Sequence, residues 1–313
     1  RDADIGEEHL AELGQAEDWF ATGYIIVFTI IAILCLAGFI IWELYVPNPV
    51  VNLRVLKSKT LSISAILTFV TGIGMFTSIF LTPVIAQRLL GFTPTESGLL
   101  LLPGAILALF ALIISGKLLQ KGVSPIYIIA TGFIMFMLFS WNMSRINPDV
   151  SAAAITLNLI YRAIGMACLT VPLTSLAVSS LDVGDIPQGA ALNNMMRQLG
   201  GSFGISIVNT YSARRFALHR VDLISNITPG NPVVTNRLNG YTGYLQSKGI
   251  SLIDAKQKAM EMIDLSVVKQ STLLSYLDAF LLIGLLFVCC LPLLLFVIKR
   301  SKKTGPIMVL SDH

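Results

Sequence analysis

The chain has 313 residues, of which 54% are hydrophobic and only 13% charged, with a mean hydropathy of +0.75. A soluble domain carries about a quarter charged residues, so this composition excludes an ordinary soluble fold and describes a chain made for lipid. The net charge of +4 comes without a basic stripe interleaved with aromatics, so nucleic acid is not an expected partner.

Residues 1–20 form an acidic tail with Asp2, Asp4, Glu7, Glu8, Glu12, Glu17 and Asp18, closing on Trp19 and Phe20. Aromatics at the edge of an apolar run are interface anchors. The chain opens on Arg1 rather than on Met or a signal peptide, and is expected to be the later part of a longer protein. Residues 21–42 are apolar and long enough for one span at about twenty residues; a loop through residue 59 carries Pro47, Pro49, Arg54, Lys57 and Lys59. A second span is predicted over 62–86, a turn over 87–97, and a third span over 98–119 with Pro103 inside it, where a missing donor bends a helix. The fourth span covers 126–144, and the fifth, 152–180, carries Asn158, Tyr161, Arg162 and Pro172. The sixth runs over 189–211. A long polar connection, 212–272, precedes the seventh span at 273–298, which contains Asp278 and Pro292 and ends in a basic cytoplasmic tail, 299–313. Within the connection, Ser251-Leu252-Ile253-Asp254 reads as a capping box before an amphipathic helix.

The stretch 193–207 organises the chain. Its first turns carry Asn193, Asn194, Arg197 and Gln198, although it opens an apolar run. An Arg at a helix centre in lipid costs roughly 2.5 kcal/mol or more, so such groups face a protein interior or a water-filled cavity. Gly200, Gly201 and Gly204 strip one side of side chains, and the spacing of Gly200 and Gly204 is that of a small-xxx-small packing face. Together they read as the packed wall of a pathway. The competing reading is an ordinary membrane helix whose Arg197 snorkels to the headgroups. Arg162, about ten residues into its span, lies near mid-membrane at 1.5 Å per residue, with Asn158 one turn before it. Asp278 is the only acid well inside a predicted span, and it also reads as an interfacial residue.

Lys and Arg in the short loops set the orientation: Arg54, Lys57, Lys59, Lys117, Lys121 and the cluster at 299–303 fall on one side, which places the C-terminus in the cytoplasm and makes the acidic tail, 1–20, and the connection, 212–272, extracytoplasmic. No catalytic constellation appears. His9, His219 and His313 lie outside the spans and far apart, no phosphate loop or nucleophile elbow is present, and no metal-ligand pair stands at helical spacing. The four cysteines sit in apolar runs and read as buried hydrophobes, with no metal or disulfide role. The expectation is therefore not an enzyme.

Several segments resemble one family. Glu17-Asp18-Trp19-Phe20 precedes a span, Gly91-Phe92-Thr93-Pro94-Thr95-Glu96-Ser97-Gly98-Leu99 leads into Leu102-Pro103-Gly104, and Tyr161-Arg162-Ala163-Ile164-Gly165 resembles an Arg-Gly-x-Gly segment. Arg197-Gln198-Leu199-Gly200-Gly201-Ser202-Phe203-Gly204 is the most specific, and Tyr276-Leu277-Asp278-Ala279-Phe280 resembles the start of a last span. The chain is similar along its whole length to spans eight to fourteen of the major facilitator superfamily multidrug transporters of the fourteen-span EmrB/QacA drug:proton antiporter type. It departs at Ala163, where the family has Gly, and at Gln120, where the degenerate gating motif around Gly116–Gly122 has an acid.

The resemblance implies an all-α integral membrane protein with seven transmembrane helices: a linker helix with its cytoplasmic loop over 21–59, and a six-helix C-terminal bundle over 60–298. That bundle would rock against a missing N-terminal six-helix half around a midplane site. It implies proton-coupled export of a small lipophilic substrate from the bacterial inner membrane, with no cofactor beyond the proton gradient and with a periplasmic adaptor as a further partner. The pathway residues would be Asn158, Arg162, Asn193, Asn194, Arg197 and Gln198, with Asp278 as a proton or polar partner. Pro103, Pro172, Gly200, Gly201 and Gly204 would serve helix packing and bending. Two other readings stand beside this one: a same-fold exporter of an endogenous lipid, siderophore or metabolite, and a seven-helix membrane receptor.

Overall fold

The computed structural model describes residues 59–301, apart from 148, 149, 180 and 229, together with scattered positions between 27 and 45. It is all-helical: α1 (Lys59–Arg88), α2 (Pro94–Gln120), α3 (Pro125–Met143), α4 (Ala152–Val178), α5 (Ile186–Ser225), α6 (Pro232–Ser247) and α7 (Leu252–Ser301). The expected all-α membrane protein is what is found. Helices α1, α2, α3, α4 and α7 are each long and apolar enough to cross a membrane. Helix α5 is long enough but more polar, because Asn193, Asn194, Arg197 and Gln198 interrupt its apolar run. The predicted first span and the two chain ends lie outside the described residues, save for helical, exposed positions between 27 and 45.

Local chemistry sets the helix ends. Pro94 occupies the first turn of α2, where its missing N–H costs nothing. Thr93 and Glu96 form a reciprocal capping box, the Thr93 hydroxyl accepting from the Glu96 N–H and the Glu96 carboxylate accepting from the Thr93 N–H at 2.8 Å. The preceding turn needs Gly91, whose φ is +74°. Prolines 103 and 172 sit inside α2 and α4 without ending either helix.

Helix α1 is the most enclosed of the spans and α2 the most exposed. Leu99, Leu109 and Phe110 of α2 stand outward, as lipid-facing side chains do. Around α1 the bundle closes through α4, α5 and α7, while α3 packs between α4 and α7 and α2 lies against α4. Two devices bring these helices close. Between α3 and α4, Gly132 and Gly165 face one another, so that a Cβ on Gly132 would meet the Gly165 carbonyl oxygen at 2.8 Å. Between α3 and α7, an aromatic column is fully buried: Phe136 stacks on Phe287 with centroids 4.3 Å apart, and Phe139 meets Phe280 edge-on at 5.6 Å. Gly74 of α1 leaves the room that Phe287 and Phe136 fill.

The connection at 212–272 differs from its predicted form. It holds one separate surface helix, α6, but most of it continues its neighbours: α5 runs fourteen residues beyond 211, and α7 begins twenty-one residues before 273. Only α6 is a separate element. Ser251 does cap the start of α7, its hydroxyl accepting from the Asp254 N–H at 3.3 Å and donating to the Asp254 carboxylate at 2.7 Å. The predicted sixth and seventh spans are thus the membrane portions of two much longer helices, because no Pro or Gly interrupts 205–225 or 252–272.

Candidate functional site: a polar seam along α1

Helices α1 and α5 run parallel, since Thr68 meets Asn193, Gly72 meets Arg197 and Ile73 meets Gly204 in ascending order. Glycine allows the approach. A Cβ on Gly204 would lie 2.8 Å from the Ile73 Cα, and one on Gly200 would collide with the Phe69 carbonyl. Gly72 lies equally tight against the Arg197 backbone, and Gly201 leaves room for the Phe76 ring. The small-xxx-small face therefore seats α5 directly on the α1 backbone, where dispersion and packing hold the pair without any help from water exclusion.

Three polar levels follow along α1. At the first, Asn193 is fully buried: its carbonyl accepts from the Thr68 hydroxyl at 2.7 Å and its amide donates to the Thr174 hydroxyl at 3.2 Å. It ties α1, α4 and α5 together, so both ends of the side chain are already engaged. At the second level lies Arg197, half-buried, whose Nε is enclosed with no hydrogen-bond partner among the described residues. At the third, Arg162 of α4 reaches across so that its Nη1 stands 3.5 Å from the Ser78 hydroxyl, a long bond; its Nε too is enclosed and unpaired. From Thr68 to Ser78 is ten residues, about 15 Å of helix. Asn158, one turn before Arg162, is buried, whereas Asn194 and Gln198 are exposed. The predicted pathway residues therefore divide: Asn193 is a tie between helices, Arg162 and Arg197 are under-partnered cations, and Asn194 and Gln198 face away from the packed interior.

Ala163, where the resembling family has Gly, meets Gly104 of α2, whose own Cβ would lie 3.3 Å from the Ala163 methyl.

Asp278 is not a partner of Arg162. Its carboxylate accepts from the Arg215 Nε and lies 2.7 Å from the His219 Nε2, both on α5. His219 falls outside the span predicted by hydropathy; the signal that points to it is the i, i+4 spacing of Arg215 and His219 on a helix continuing past residue 211. This cluster joins α5 to α7 at 23% exposure of the Asp278 side chain. No group of three or more His, Cys, Asp or Glu side chains among the described residues could hold a metal ion. What the seam offers is fixed positive charge and hydrogen-bonding hydroxyls inside an apolar bundle.

The chain matches the family model of the Major Facilitator Superfamily over residues 19–205. It is 28% identical over 284 residues to the fatty acid resistance protein FarB of Neisseria gonorrhoeae, covering 91% of this chain and 54% of that protein. It is 27% identical over 288 residues to the multidrug export protein EmrB of Escherichia coli K12, covering 92% and 54%, and 25% identical over 303 residues to the colistin resistance protein EmrB of Acinetobacter baumannii, covering 95% and 57%. The chain spans about half the length of the curated relatives it matches. With its long apolar helices and a family match across more than half its length, the chain belongs to the Major Facilitator Superfamily and is a multi-pass membrane protein whose relatives are of the EmrB type.

Proposed function

We propose that this chain supplies the C-terminal half of a proton-coupled exporter that moves small lipophilic compounds outward by alternating access. The observation that carries the reading is the pair of half-buried guanidinium groups, Arg162 and Arg197, each with an enclosed and unpaired Nε. Arginine does not give up its proton in a protein, so each group needs an anion, a carbonyl or water within the membrane. A cavity shared with a second bundle would provide it, and midplane sites between two rocking halves are the pattern of such transporters. In this reading residues 60–298 form the C-terminal bundle and 21–59 a linker helix. The C-terminus faces the cytoplasm, the protein sits in the bacterial inner membrane, and the helices beyond the bundle offer a face to a periplasmic adaptor.

The test is drug accumulation in efflux-deficient cells expressing the protein with its natural flanking sequence, with and without a protonophore. Arg162→Ala and Arg197→Ala would be compared at matched membrane levels. Lower accumulation that the protonophore abolishes, and that either variant loses, is the expected result. Full export by both variants would make the two arginines structural; no export of any drug would overturn the substrate class. The second reading, export of an endogenous amphiphile, draws on the fatty acid resistance protein among the relatives, and the same assay with a labelled fatty acid separates the two.

A further inference from the structure

Beyond the bundle, where α5 and α7 extend past the membrane portion and α6 folds against α7, lies a cavity of about 440 Å³. That is the size of a drug-sized ligand site. Its floor is aliphatic, built from Leu89 just after α1, Leu223 of α5, Ile227 two residues past the end of α5, and Val267 and Leu273 of α7, of which Leu89, Val267 and Leu273 are buried. Its rim is cationic. Arg237 of α6 and Lys269 of α7 both line it and both are exposed; neither belongs to a salt bridge among the described residues. No carboxylate among the described residues lines the cavity. The nearest acid along α7, Asp264, is held by Arg220 at 3.3 Å. Tyr241 and Gln270 add hydrogen-bonding groups beside the two cations.

From this arrangement we infer that the cavity binds a single-chain amphiphilic anion, an alkyl carboxylate whose chain lies on the aliphatic floor and whose head lies between Arg237 and Lys269. Charge complementarity selects the head: a cation would meet two like charges with no acid among the described lining residues to offset them, and like-charge juxtaposition strongly disfavours a ligand. The volume selects one chain, since both chains of a phospholipid would not fit. Leu89 closes the floor at the end of α1 and belongs to the buried apolar core, so the cavity adjoins the apolar bundle. The site lies outside the polar seam and goes beyond the transport reading; it does not require that the protein export anything.

The experiment is photolabelling of the protein, with its natural flanking sequence, in phosphatidylcholine nanodiscs and without a proton gradient. The probe is dodecanoic acid bearing a terminal diazirine, and labelled peptides are read by mass spectrometry. Labelling is expected to concentrate on peptides containing Ile263 and Val234, and to be displaced by dodecanoate but not by dodecyltrimethylammonium. The double variant Arg237→Gln/Lys269→Gln should weaken the apparent affinity about tenfold, the sum of two exposed charge interactions of about 0.7 kcal/mol each. Val234→Trp, which fills the cavity without touching its charge, should abolish labelling by a separate route. Labelling that spreads over α2 with no peak at the cavity, that is unchanged in the double variant, or that the quaternary ammonium displaces equally well would overturn the inference. Absence of labelling would do the same. Because no transport is measured, failure here leaves the exporter reading intact, and failure of export leaves this site intact.

Discussion

Replacing Gly204 by alanine tests whether the α1–α5 seam is held by backbone approach. The added Cβ would lie 2.8 Å from the Ile73 Cα and 3.0 Å from the Thr77 hydroxyl oxygen. Ordinary contact begins at 3.4 Å, so the two helices must part by roughly 0.6 Å at this level, and a Cα cannot rotate out of the way. A gap of about 0.5–1 Å forfeits a quarter to a half of the dispersion well for each atom pair along the seam, and overpacking of a dense core costs about 1–3 kcal/mol. Alanine returns about 0.5–1 kcal/mol through helix propensity, leaving a net loss of about 1–2 kcal/mol. Gly98→Ala is the control, since its Cβ meets nothing within 4 Å on an exposed face of α2; it should gain the propensity term alone. Gly200→Ala should lose more than Gly204→Ala, because its Cβ strikes the Phe69 carbonyl outright. Thermal unfolding of the purified protein in detergent should rank the three as Gly98→Ala above wild type, then Gly204→Ala, then Gly200→Ala, with steps of a few degrees. Equal melting temperatures for Gly98→Ala and Gly204→Ala would refute the reasoning.

Asn193→Ala removes both side-chain bonds that join α1 and α4 through α5, leaving the Thr68 hydroxyl without its partner, and should cost about 1–3 kcal/mol in the same assay; Asn193→Gln would not restore it in so tight a site. Asp278→Asn should cost about 1 kcal/mol, since the Arg215 side chain is 35% exposed and solvent screens the pair. A double-mutant cycle of Asp278→Asn with His219→Ala should show coupling, and strictly additive losses would deny the cluster. Phe287→Ala empties the aromatic column between α3 and α7 and should cost about 3–5 kcal/mol, read as loss of the folded peak on size exclusion in detergent.

Hydropathy and glycine spacing made most of the architecture legible. The spans over 62–86, 98–119, 126–144 and 152–180 correspond to α1 to α4 within a few residues, since each is bounded by Gly, Pro or a polar turn. The reach of α5 and α7 was not legible by hydropathy, because a helix that leaves lipid keeps its backbone bonds while its side chains turn polar, and a window tuned to lipid stops at the water. The same cause hid the Arg215–His219–Asp278 cluster: two of its members lie beyond the apolar run. Composition marked Arg162 and Arg197 as costly residues, but nothing in one-dimensional spacing distinguished Asn193, saturated by two hydroxyls, from Asn194 beside it, which is exposed. That difference is set by the 100° step between neighbours on a helix and by which neighbour α1 covers.

The continuity of α5 and α7 makes the region outside the bundle a lever. A 40-residue helix is about 60 Å long and a 50-residue one about 75 Å. If α5 pivots near its midpoint, each 10° of tilt swings its far end by about 5 Å, taken from a half-length of about 30 Å. Helix α6 and the cavity beneath it ride on those ends. Any rocking within the membrane is therefore delivered, enlarged and without a flexible joint, to the surface that stands clear of it.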